Sequence, residues 1–353
     1  MQRINKAKVT RIVSLALGIV VLVAFIYFVG VGNLERVLLQ VNPTLVVVMV
    51  ALQLLGFGFY ASAWYLLIRA SGYRIPFLTC QGITFASIFA SYTMPSGVFL
   101  EAVRCLLGSK ESGMKIGEST ATVILHRILY IVGFLASTAC AFLIIASGHQ
   151  VTLSVIFQIV IVPIIAIVGL IALLYISFNP KRLLPLLDRI LRFAQPLVNV
   201  VQSEMKTDGK AEQFLNDYHT SFRKMLSLKS YVFASFGASL GDWACSVMIL
   251  WVVLVALGSH TSIWIVVATM AIGKMIQMTP IAVPGMLGIY ETAITTSLSL
   301  FGTPVAVAAS AAILSRIVTS WLDLPVTGMA AYHYGYKTFG QIRTPNQSLP
   351  SAT

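Results

Sequence analysis

Apolar runs long enough to cross a lipid bilayer recur along this chain, and their recurrence narrows the fold to one class. About 20 helical residues span the hydrocarbon core. Runs of that order occupy 12–31, 44–68, 116–146, 151–178, 231–257 and 304–331. Of the 353 residues, 58% are hydrophobic and only 10% charged, well outside the composition of soluble domains. Mean hydropathy is +0.87. Lipid offers no partner to a backbone N–H or C=O, and runs of this length satisfy those groups as helices. The expected fold is an all-α polytopic membrane protein.

The net charge of +12 does not point to nucleic acid. Most of the 24 Lys and Arg sit at 1–11, 69–74, 108–117, 179–229 and beyond 331. That clustering is the positive-inside pattern, and it predicts a multi-pass protein of the cell membrane with both termini cytoplasmic. The basic start and apolar run at 12–31 resemble a signal peptide. The run is longer than a typical signal core and no small-residue cleavage site follows, so it reads as a retained span. Cys80, Cys105, Cys140 and Cys245 lie in or near apolar segments without metal-ligand spacing and read as small buried residues.

Charge placement also sets the path. Spans 12–31 and 44–68 go out and return. Segment 77–108 is interrupted at Pro95 and Gly97 and is flanked by basic residues on both sides, which predicts a re-entrant hairpin from the cytoplasm. Span 116–146 crosses outward and 151–178 returns. Segment 179–229 is a cytoplasmic basic stretch with helical apolar spacing at 182–201, either interfacial or a solvated linker. Span 231–257 crosses outward, 263–301 forms a second hairpin broken at Pro284, Gly285 and Gly288, and 304–331 ends inside. The expected plan is an inverted repeat, with 1–178 holding the first repeat and the opening span of the second, 230–335 the rest of the second, and 336–353 a tail. Paired broken segments of this kind are the sequence pointer to a transporter's substrate site near the bilayer midplane.

Each hairpin carries charge where lipid should be. Glu101 and Arg104 follow the first break and Arg127 comes later; Glu291 follows the second and Arg316 comes later. A charge at the bilayer centre costs at least about 2.5–3.5 kcal/mol, so such residues pair or line water. Arginine suits phosphate because its planar fork binds two oxygens at once. Glu101, Arg104, Arg127, Glu291 and Arg316 are therefore the candidate substrate-binding set. Two readings stay open: the acids and arginines staple each hairpin to the helix behind it, or they line a head-group cavity. His126, Asp242, Lys274 and Asp323 are further intramembrane groups, read first as packing or helix partners.

No phosphate-binding loop, serine-hydrolase elbow or zinc-protease motif occurs. Neither a cofactor, a metal site nor a catalytic residue is expected, though intramembrane transfer chemistry by Glu and His stays open.

At Ser91-Tyr92-Thr93-Met94-Pro95-Ser96-Gly97, Glu101-Ala102-Val103-Arg104, His126-Arg127 and Pro284-Gly285-Met286-Leu287-Gly288-Ile289-Tyr290-Glu291 the chain resembles the lysylphosphatidylglycerol synthase transmembrane-region family, called flippase-like. His126 stands where the family often has an acid. In full-length members a soluble domain adds an amino acid to phosphatidylglycerol and the membrane region translocates the product. The resemblance implies translocation of a charged phospholipid or polyprenyl-linked head group, with the soluble aminoacyl-transferase domain expected to be absent. The expected partner is membrane lipid. The rival reading is a non-transporting membrane partner of a lipid-modifying or glycosyl transferase, and a partner enzyme or a second copy of the chain are the candidate protein contacts.

Overall fold

The computed structural model describes residues 43–93, 98–148, 210–278, 286–321 and 323–339, with a few helical positions between 164 and 178. The expected span 12–31, most of 151–178, the stretch 182–201, the breaks Pro95, Gly97, Pro284 and Gly285, and the tail beyond 339 lie outside the described residues. All regular structure within them is helical. The elements are α1 (Pro43–Ser71), α2 (Phe77–Thr93), α3 (Val98–Ser112), α4 (Ile116–Gly148), α5 (Lys210–Ser227), α6 (Lys229–Ala256), α7 (Ile263–Met278), α8 (Ile289–Leu300), α9 (Val305–Arg316), a π-helical turn (Ile317–Trp321) and α10 (Asp323–Phe339).

Four stretches are long and apolar enough to cross a membrane: Thr44–Ser71, Ile116–Ser147, Lys229–Ala256 and Val305–Tyr334. Their outward faces carry large exposed apolar side chains, among them Val47, Leu54, Leu143, Phe233 and Met329. In water that would be an aggregation surface; in lipid it is the surface required. The last stretch is not one regular helix. Pro325 has no N–H for the carbonyl of Trp321, and the ladder widens into the π turn at 317–321 just ahead of it.

Four helices are too short to cross alone. α2, α3, α7 and α8 have 17, 15, 16 and 12 residues, so they rise about 26, 23, 24 and 18 Å, against a hydrocarbon core of about 30 Å. α2 lies against α3, and α7 against α8. Other packings also come in matching pairs. α3 packs on α4 as α8 packs on α9. α2 packs on α10 as α7 packs on α4. α1 meets α4 as α6 meets α9, and α1 and α6 meet each other in the most extensive contact of the bundle. Gly56 and Gly241 let that contact close: a Cβ on Gly56 would stand 3.3 Å from Asp242, and one on Gly241 2.9 Å from the Phe59 ring.

Helix α5 is amphipathic rather than apolar and falls within the basic segment 179–229. It braces the ends of two spans. Lys115 Nζ meets Asp217 at 2.8 Å, and Lys224 Nζ donates to the Ser71 carbonyl at the end of α1. Nearby, Tyr73 donates to Glu118 at 2.7 Å. That bond keeps the phenol protonated and pushes its pKa up to about 12, while the Asp217 carboxylate raises Lys115.

Candidate functional site: a charged cavity between two pairs of short helices

A cavity of about 220 Å³ lies among the helices. Both short-helix pairs reach it, α2 and α3 through Ile88, Ser91, Tyr92 and Leu100, α7 and α8 through Met270, Lys274, Gln277 and Tyr290. The longer helices add Gln53 and Tyr60 from α1, Arg127 and Tyr130 from α4, Asp242 and Ser246 from α6, and Arg316 from the end of α9. Three cations and one carboxylate thus share a wall that is otherwise hydroxyl, amide and apolar.

The wall repeats itself along the chain. Arg127 and Arg316 are 189 positions apart (316 − 127), and so are Gln53 and Asp242, Gly56 and Cys245, Phe57 and Ser246, Tyr60 and Ile249, Ile88 and Gln277, and Tyr130 and Thr319. Every one of these residues lines the cavity. The side-chain type is seldom kept, but the direction in which the position points is.

The acids stand behind their arginines. Glu101, in the first turn of α3, bridges two of them: Oε1 lies 3.3 Å from Arg127 Nη1, and Oε2 accepts from Arg104 Nη1 at 3.2 Å. Glu291, in the first turn of α8, meets Arg316 Nε at 3.3 Å. Both acids occupy helix N-terminal turns, where the backbone dipole favours a carboxylate. Gly288 sets up the second of these turns, since its φ of 77° at the start of α8 is a conformation glycine adopts without strain. Arg316 also lies over the Tyr290 ring, 4.9 Å from its centroid.

Arg104 is placed differently from the other arginines. It is fully buried and does not line the cavity. Its Nη1 also donates to the Tyr60 hydroxyl at 3.1 Å, its Nη2 to His126 Nδ1 at 2.9 Å, and its guanidinium lies 4.5 Å from the Trp64 ring. An arginine has no acceptor, so His126 accepts at Nδ1 and is a neutral imidazole with its proton on Nε2. Arg104 holds Glu101 in position and does not reach the cavity wall.

Lys274 and Asp242 were read from the sequence only as intramembrane charges; the structure brings both to the cavity wall. Among the described residues Lys274 has no carboxylate oxygen within ion-pair distance and instead lies 5.8 Å from the Tyr130 ring centroid. Tyr130 stands in turn beside Asp242. Asp323 sits outside the wall at the start of α10, where its Oδ2 accepts from Gln53 Nε2 at 2.8 Å. Nothing in the spacing of Lys274 or Gln53 marks them as site residues; their place follows from which face of α7 and α1 turns inward. Among the described residues no three His, Cys, Asp or Glu converge as a metal site.

Comparison with known proteins gives a consistent set of relatives. The family described as "Lysylphosphatidylglycerol synthase TM region" matches residues 11–326. A UPF0104 membrane protein of Methanothermobacter thermautotrophicus is 21% identical over 328 residues, covering 91% of this chain and 94% of its own. One of Archaeoglobus fulgidus is 29% identical over 263 residues, 72% and 76% of the two chains. One of Methanocaldococcus jannaschii is 25% identical over 329 residues, 89% and 92%.

Proposed function

This chain belongs to the lysylphosphatidylglycerol synthase TM region family, and from that premise we propose that it is a lipid translocase whose cavity carries a phosphate-bearing head group across the bilayer. The observation that carries this reading is the convergence of Arg127 and Arg316, from corresponding places in two halves, on one cavity with Lys274. Each arginine is held by a carboxylate behind it and keeps the remainder of its fork for a ligand. Two arginines and a lysine on one wall suit phosphate.

The size of the space agrees. About 220 Å³ is below the roughly 300–1,000 Å³ of sites for drug-sized ligands. It takes a head group, while the acyl or isoprenoid tail stays in lipid. The paired packings, the constant interval along the wall and the four short helices support the inverted-repeat plan, with α2–α3 and α7–α8 as hairpins entering from opposite faces. In this reading both termini are cytoplasmic and the chain works in the cell membrane.

The test begins with mass spectrometry of lipid retained by gently purified protein, followed by a vesicle flipping assay of the retained lipid. Wild type retains and moves a phosphate lipid; Arg127→Ala and Arg316→Ala stay folded and do neither. Full transport by both variants removes the cavity assignment.

A further inference from the structure

The cavity and the groups bonded behind it hold four basic and four acidic side chains among the described residues. With all eight ionised the sum is zero, and neutral His126 adds nothing. A phosphate head group entering such a site would bring an uncompensated negative charge into a low-dielectric interior, which is strongly disfavoured. An anion therefore needs a companion positive charge.

One acid is set apart from the rest. Glu101 and Glu291 are ion-paired, and Asp242, though beyond ion-pair distance of Lys274, shares the cavity wall with it and stands beside Tyr130. Asp323 is 5% exposed, and no Lys or Arg nitrogen among the described residues lies within ion-pair distance of it. Gln53 from α1 donates to it and Tyr92 from α2 lies near it, with Arg316 at the end of α9 near the same Tyr92. The Tyr92 hydroxyl is committed to the Thr319 carbonyl, and Arg316 is ion-paired with Glu291 rather than with Asp323. One amide donor is poor compensation for a buried carboxylate, so of the four acids this one gives up its charge most cheaply when an anion enters. Gln53 both lines the cavity and donates to Asp323, so a single side chain links the carboxyl to the ligand space.

We propose that Asp323 is a proton site coupled to head-group binding, so that the protein takes up one proton for each singly charged phosphodiester head group and carries the two together. The proton comes from water, neutralises the Asp323 carboxylate on binding, and returns to water when the head group leaves. With Asp323 protonated the eight-group sum becomes +1, which a phosphodiester monoanion cancels. The coupling is reciprocal: the anion favours the proton and the proton favours the anion. This proposal rests on the lipid-translocase reading.

The experiment uses the full chain in detergent and dioctanoyl phosphatidylglycerol as the probe. Affinity is measured against pH, and proton uptake by calorimetry in buffers of different ionisation enthalpy. Wild type is expected to take up one proton per lipid bound, its affinity falling up to about tenfold per pH unit above the titration of the carboxyl. Asp323→Asn, a fixed neutral replacement, is expected to bind with flat pH dependence and no proton uptake. Asp323→Glu keeps the uptake with a shifted profile, which separates coupling from damage. Lipid binding by wild type without proton uptake overturns the proposal, as does unchanged uptake in Asp323→Asn. No lipid binding by wild type overturns the head-group reading beneath it.

Discussion

Glu291 and Arg316 meet at 3.3 Å with 3% and 6% of their side chains exposed, whereas the corresponding pair Glu101 and Arg127 has the same separation but keeps 21% and 27%. The second pair is thus nearly enclosed and the first is partly open. They also differ in support. Glu101 is secured by the buried Arg104, and among the described residues Glu291 has no second arginine.

That difference should appear in stability. In Glu291→Gln, Arg316 becomes an uncompensated buried cation with only the Tyr290 ring beside it, at a cost of about 3–5 kcal/mol. Glu101→Gln should cost at least as much, because it strands the fully buried Arg104 with only Tyr60 and the neutral His126, although Arg127 reaches the cavity. Thermal unfolding in detergent compares the two. A clearly smaller loss in Glu101→Gln would mean that neutral partners suffice to hold Arg104.

Lys274 should separate transport from folding. It lines the cavity without an ion-pair partner among the described residues. Lys274→Met should leave unfolding unchanged or raise it while slowing lipid movement at least about tenfold, which is about 1.4 kcal/mol. Arg127→Lys should fall between wild type and Arg127→Ala, since a lysine keeps the charge but loses the planar fork. Flipping rates in vesicles, normalised to folded protein, check both.

Sequence reasoning reached the class of fold because twenty-residue apolar runs and basic clusters are one-dimensional signals. The same apolar runs are seen as α1, α4, α6 and the 305–334 stretch. It also found the pairing partners of Arg127 and Arg316, because charge in lipid must be answered nearby. It could not see direction. Arg104 and Arg127 look equivalent in sequence, yet one is spent on Glu101, Tyr60 and His126 and the other faces the cavity. The interval linking Gln53 to Asp242 and Tyr60 to Ile249 escaped notice because those residues differ in chemistry and agree only in which way their helix face turns. The π turn is legible in hindsight from Pro325.

The α7–α8 contact should tolerate no added methyl. A Cβ on Gly273 would stand 2.8 Å from the Tyr290 ring and 2.9 Å from Ile294. Gly273→Ala should destabilise by about 1–3 kcal/mol, and by shifting Tyr290 it should loosen Arg316. Gly288→Ala forces a left-handed residue at the start of α8, costing about 1–2 kcal/mol. Both are read by unfolding in detergent. Loss of lipid binding is expected in Gly273→Ala, because Tyr290 and Arg316 share the cavity wall.

The hairpin reading makes a prediction about sides. If α2 and α3 enter and leave from one face, Arg74 before them and Lys110 near their end lie in the same compartment. If α7 and α8 do so from the other face, His260 and Val305 share the opposite one. All four are exposed. Cysteines introduced one at a time at these positions, with the four native cysteines replaced by Ser, are labelled in intact cells by a membrane-impermeant maleimide. His260→Cys and Val305→Cys should react from outside, and Arg74→Cys and Lys110→Cys only after lysis. If α2 and α3 instead ran end to end as one crossing, Arg74 and Lys110 would fall on opposite sides, as would His260 and Val305 if α7 and α8 did so. That pattern would end the inverted-repeat reading, while the charged cavity, which rests on side-chain positions alone, would still require an explanation.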